Sequence, residues 1–212
     1  MKNPQNQYGL SLIELMVTIV LSSLLLLGVL QLFINTTATD RTSNELARVQ
    51  ETGRVAIELI AREARRMGYQ GCVGASITTE VNGIEYPTEA LDGTATSLTF
   101  RYARPDPAGT FANRDCANGT LSSYQITFNN CGTNICVTAP DIGNNQQLVA
   151  NANFNRIDYI EPCAANSCIK TAADADLAIV NKLQITLAVN DSRGEFAVPR
   201  TFTSVIELRN RL

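Results

Sequence analysis

The chain has 212 residues, with 17 Lys and Arg against 20 Asp and Glu and a formal net charge of −3, a length that suits one domain with an appended helix. It contains no histidine, which removes His-based acid–base catalysis, Ser–His–Asp and Cys–His nucleophiles, and His-ligated metal. Basic residues are thinly spread, so no nucleic-acid partner is expected. No enzyme activity, cofactor or metal is expected either.

Residues 1–9, MKNPQNQYG, are polar and carry Lys2 as their one charged side chain. From Leu10 to Ile34 the chain is apolar, with Glu14 as its one charge. Leu15 to Ile34 gives about 20 residues, or about 30 Å of helix, enough to cross a bilayer core. The cation precedes the span, which predicts a cytoplasmic N-terminus and a translocated remainder. A secretory signal places its cleavage site after the apolar run; here the break in composition comes before it, at Gly9–Leu10. A plain signal anchor is the simpler reading, but it gives Glu14 no role. A carboxylate inside a dry helix bundle needs a positive partner. Cleavage after Gly9 would supply one, the α-amino group of Leu10.

The helix is expected to continue, since no proline falls between Pro4 and Pro87. Asn35–Ser43 is polar and Thr-rich, a weak stretch or bend. Leu46, Val49, Gly53, Ala56, Ile57, Ile60, Ala64 and Met67 then recur at steps of three and four, an apolar stripe for packing on the protein's own sheet. Arg54/Glu58 and Glu58/Arg62 have the spacing of supporting ion pairs. Gly68 and Gly71 end the helix.

Beyond Gly71 the period changes to two. Leu98, Phe100 and Tyr102 predict one strand, Tyr124, Ile126 and Phe128 another, and Leu183 to Val189 the clearest. Phe202–Leu208 is a further strand after a turn at Asn190–Glu195, and Arg156–Glu161 a weaker one. Residues 104–120, 139–153 and 162–176 read as loops. The expected fold is α+β, a long helix packed on one antiparallel sheet. Its divisions are a leader at 1–9, a transmembrane half at 10–34, an amphipathic half at 35–68 and a β-rich head at 69–212.

The cysteines are Cys72, Cys116, Cys131, Cys136, Cys163 and Cys168. Without histidine, and behind an export-type N-terminus, they read as disulfides. The favoured arrangement is two local pairs, Cys131/Cys136 and Cys163/Cys168, leaving Cys72/Cys116. A four-thiolate zinc site built from the two local pairs is the alternative. Asp174 and Asp176 lack the Gly and later carboxylate of a calcium loop, so a solvated loop is preferred. Arg101, Arg104 and Arg114 offer a basic patch without the aromatic series that single-stranded DNA binding uses.

GLSLIELM resembles the class III leader junction of type IV prepilins: Gly before the cut, Glu at the fifth mature position, then an uncharged helix. Leu10 stands where that family usually has Phe. The resemblance implies cleavage between Gly9 and Leu10 by a prepilin peptidase, N-methylation of Leu10, and a role for Glu14 in subunit assembly. AREARRMGYQGCVG at 61–74 and the C-terminal FTSVIELRNRL are similar to PilW-type minor pilins. That likeness implies a low-abundance subunit that primes pilus assembly at the inner membrane. Its implied partners are other minor pilins, the major pilin and a PilY-type tip adhesin, and its head would be periplasmic before it reaches the pilus. A J-type pseudopilin of a type II secretion system has a similar layout and is the alternative, as is a filament-borne ligand- or DNA-binding module.

Overall fold

The computed structural model describes residues 11–71, 79–81, 84–86, 88–105, 121–163, 166–194 and 196–209. Among the described residues, one α-helix, α1 (Leu12–Arg66), precedes eleven strands. The chain forms two compact units, Met1–Glu45 and Leu46–Leu212.

The first unit contains the N-terminal part of α1. Ser11 precedes the helix and its carbonyl accepts the Leu15 N–H at 3.2 Å. Ser11 and Glu14 have the spacing of a capping box, and Glu14 lies in the first turn, where unpaired N–H groups favour a carboxylate. The Thr-rich stretch at 35–43 stays helical instead of breaking. The hydroxyls of Thr36, Thr37, Thr39 and Thr42 each donate to the carbonyl four residues earlier, at 2.9–3.1 Å. Side chains that compete for backbone partners in a loop here bond within the helix.

In the second unit, α1 buries Val49, Ala56, Ile60 and Ala64 in the common core, and Met67 just past its end joins them. Leu46 and Ile57 are half-buried, so the apolar stripe lies where its period puts it. An added Cβ at Gly53 would meet the Phe202 ring at 2.5 Å, so that position lets the helix approach the sheet closely. Arg65 and Arg66 occupy the last turn, favourable to the helix dipole. Gly68 then takes φ 74° and Gly71 φ 82°, a left-handed conformation that glycine adopts without strain.

A small hairpin, β1 (Thr79–Val81) and β2 (Ile84–Tyr86), leads through a 3-10 turn at Thr88–Ala90 to the first large sheet. That sheet is an antiparallel meander in the order β3-β4-β5-β6-β7: Leu91–Gly93, Ser97–Pro105, Leu121–Cys131, Asn134–Ala139 and Gly143–Val149. The second large sheet has the order β11-β10-β8-β9, from β8 (Ala152–Cys163), β9 (Asn166–Lys170), β10 (Lys182–Val189) and β11 (Arg200–Glu207), all antiparallel. Asn130 joins the sheets like a length of backbone. Its side-chain amide donates to Phe154 O at 3.0 Å and its side-chain oxygen accepts the Phe154 N–H at 2.8 Å.

Three expectations are corrected here. The head is built on two large sheets and a hairpin, not one sheet. β7 lies inside the expected loop 139–153, and β9 inside the expected loop 162–176. Both are edge strands, where one partner satisfies the backbone and no apolar face is required. Residues 143–147 are exposed and polar, so they carry no period-two signal. The weak candidate at 156–161 is the centre of the twelve-residue β8. Residues 106–120 of the remaining expected loop lie outside the described residues.

Candidate assembly elements of the helix and head

The residues of the expected cleavage point, Gly9 and Leu10, lie outside the described residues. Glu14 is exposed in the first turn of α1. Around it the side chains from Leu12 to Ile34 are all exposed, and the most apolar window of α1 has a mean hydropathy of 2.5 with none of it buried. In length and composition this part of α1 can cross a membrane, and the exposure of such a surface marks it for lipid or other apolar helices.

At the other end of α1, Gly68 donates its N–H to Arg101 O at 2.9 Å and Ala103 donates to Tyr69 O at 2.7 Å. The segment leaving the helix therefore pairs with β4 beyond the point where β3 stops. This places Glu63, 5% exposed, against Tyr102, whose hydroxyl donates to Glu63 Oε2 at 2.9 Å. Arg62 Nε and Arg66 Nη1 approach the same carboxylate at 3.2 and 3.6 Å. Arg62 is thus engaged with Glu63, not with the Glu58 that its spacing suggested.

Tyr102 packs on Tyr124 of β5 with ring centroids 5.1 Å apart. Tyr124 in turn donates its hydroxyl to Asp141. Arg66 lies over the Tyr102 ring at 4.5 Å, and Arg104 over the Tyr124 ring at 3.9 Å. Each tyrosine thus has a carboxylate acceptor and a cation on its face, an arrangement that fixes both rings. Burial, together with the neighbouring carboxylate, raises the Tyr102 pKa and pushes Tyr124 up to about 12. The Tyr124 hydroxyl holds the Asp141 carboxyl below its ordinary value of 3.8. The network was missed from sequence. Glu63, a charge one step from Ile60, Ala64 and Met67 on the apolar stripe, was the available signal.

Two of the expected cysteine pairs are disulfides. Cys131–Cys136 has Cα atoms 5.8 Å apart and Cys163–Cys168 has them 5.9 Å apart, within the usual span of the bond. Each staples a hairpin at the same register. In one, Cys131 opposes Asn134 and Asn129 opposes Cys136; in the other, Cys163 opposes Asn166 and Glu161 opposes Cys168. These bonds occupy the thiolates that the alternative zinc site would need. Cys72 and Cys116 lie outside the described residues.

Arg101 and Arg104 are three apart on β4 and so face opposite sides of the sheet. Arg101 bonds Gln125 and Asp92, whereas Arg104 meets Asp141 at 3.4 Å. They form no common patch, and Arg114 lies outside the described residues. Asp174 accepts from the Thr171 hydroxyl at 2.7 Å, and Asp176 Oδ1 from the Ala178 N–H at 3.1 Å. Both carboxylates brace turns.

Residues 4–30 match the family model described as the prokaryotic N-terminal methylation motif. That motif supports a type IV pilin-like protein, and the long apolar-to-amphipathic helix and the disulfide-stapled antiparallel sheets fit an α+β pilin-like fold. No curated protein and no solved structure matches the chain.

Proposed function

We propose that the chain is a minor pilin of the PilW type that helps to prime type IV pilus assembly. The observation that carries this reading is the methylation motif at residues 4–30, which runs directly into an exposed apolar helix with one carboxylate near its start. The likeness of 61–74 and of the C-terminal FTSVIELRNRL to PilW-type pilins supports the finer assignment. In this reading a prepilin peptidase cuts between Gly9 and Leu10, and Leu10 is then N-methylated. The mature helix anchors the head on the periplasmic face of the inner membrane. It then enters a filament with other minor pilins, the major pilin and a PilY-type tip adhesin.

Deletion of the gene tests the role, with surface pili and type II secretion scored in the same strain. Loss of pili with secretion intact is expected. Loss of secretion with normal piliation would replace this reading by the J-type pseudopilin. If both survive and only attachment to a ligand is lost, the chain is a filament-borne binding module.

A further inference from the structure

Two depressions lie side by side on the solvent face of the β3–β7 sheet and share Gln125 as a common wall. One has a volume of about 450 Å³ and is bordered by Glu89, Asp92 and Arg101. The other, of about 400 Å³, is bordered by Thr127, Thr138, Pro140 and Asn144. Strand register makes the shared groove a built feature. Arg101 opposes Gln125 across β4–β5, and Thr99, Thr127 and Thr138 oppose one another across β4–β5–β6. The 3-10 turn at Thr88–Ala90 borders one depression and the β6–β7 turn borders the other.

The chemistry of the lining selects a ligand class. Arg101 is already committed: it donates to Gln125 Oε1 at 3.0 Å, Glu89 O at 2.9 Å and Asp92 Oδ2 at 3.5 Å. With two carboxylates against one paired guanidinium, the groove disfavours polyanions such as nucleic acid or acidic polysaccharide. Its polar groups are otherwise uncharged and of both kinds. Thr138 Oγ1 accepts the Asn145 N–H at 2.8 Å, which leaves its own proton to donate. Gln125 uses its oxygen on Arg101 and keeps its amide donors, while the Asp92 side chain is 60% exposed and able to accept. Alternating donors and acceptors over two joined depressions match hydroxyls, each of which is both donor and acceptor. Pro140, exposed at the β6–β7 turn, supplies an apolar surface for the C–H face of a sugar ring.

We infer that this groove binds a neutral, hydroxyl-rich glycan, two or three sugar units long, with Gln125 at its centre. The inference does not depend on the role of the helix in assembly.

Saturation-transfer NMR on the detergent-solubilised full chain tests it, with maltotriose, cellotriose and chitotriose as neutral probes and trigalacturonate as the acidic one. Transfer to at least one neutral trisaccharide at millimolar concentration is expected, with none to trigalacturonate. Gln125→Ala should weaken binding at least about tenfold, as loss of a ligand hydrogen bond does. Thr201→Ala, exposed on the other large sheet, should leave it unchanged. A urea-denaturation midpoint equal to the parent's shows that each variant is folded. No transfer to any neutral probe, a preference for trigalacturonate, or undiminished binding by the folded Gln125→Ala protein would overturn the proposal.

Discussion

The hydroxyl of Tyr102 donates to the nearly buried carboxylate of Glu63 at 2.9 Å, tying the last turns of α1 to β4. Replacing Tyr102 by Phe keeps the ring and removes the donor. The variant should lose about 1–3 kcal/mol, the usual consequence of leaving a buried acceptor short of a partner. Urea denaturation of the detergent-solubilised chain measures it, and an unchanged midpoint would show that the arginines alone satisfy Glu63.

The second tyrosine predicts an acid and an alkaline limb. The folded pKa of Asp141 is depressed, so its contribution is present above its unfolded value of 3.8 and is lost as pH falls through the folded value. Tyr124 is raised from 10.0 to about 12, so its contribution is full below pH 10.0 and disappears as pH climbs towards about 12. Tyr124→Phe removes the hydrogen bond behind the Asp141 shift and should flatten both limbs. The difference in stability between parent and variant, followed against pH, isolates these two groups from the other carboxylates.

Gly53 gives a test of close packing. In an open helix position, Ala would stabilise by about 1 kcal/mol over Gly. Here the added methyl meets Phe202 ring carbons at 2.5–2.7 Å, and the net effect should be a loss of about 1–3 kcal/mol. Phe202→Leu should relieve part of it, so a double-mutant cycle over the two positions should show favourable coupling.

Removing either hairpin disulfide should cost about 2 kcal/mol, because each closes a loop of similar short length. The two losses should add, since the bonds staple hairpins of different sheets. Paired Cys→Ala variants measured by urea denaturation decide this. A large departure from additivity would mean that the sheets unfold separately.

Glu14→Ala separates an assembling subunit from a tether. If the carboxylate pairs with the Leu10 α-amino group inside a filament, its loss costs about 3–5 kcal/mol at each addition. The variant should remain membrane-inserted and lose residues 1–9 by intact-mass analysis, yet crosslink to fewer partner pilins. Normal crosslinking would leave Glu14 as no more than a favourable charge in the first turn of the helix.

How legible these elements were in the sequence follows from what each one buries. The stripe from Val49 to Met67 and the central strands β4, β5 and β10 each bury one regular face, so periodicity located them. β7 and β9 bury almost nothing and were read as loops. Their strand character comes from backbone pairing with the strand just before each of them, and the pattern of their own side chains does not encode that. The local cysteine pairs were legible because the C-x4-C spacing fits a stapled hairpin turn. The Tyr102–Tyr124 network was not, because its partners Glu63 and Asp141 come together only when helix and sheet have docked. Gln125 and Thr127 look like ordinary solvent-facing strand residues, and the groove they share exists only through the register of their neighbours.

Within the apolar part of α1, the hydroxyls of Thr18 and Ser23 each donate to a carbonyl three residues earlier at 2.8 Å. A hydroxyl bonded in this way carries little desolvation penalty, whether the surroundings are acyl chains or leucines. Where Thr18 and Ser23 sit, the helix has no hydrogen bond to surrender when one apolar medium replaces the other. In the proposed assembly, a move of this stretch from acyl chains to packed helices would therefore break no bond at either hydroxyl, and the pairing of Glu14 would be left to set its direction.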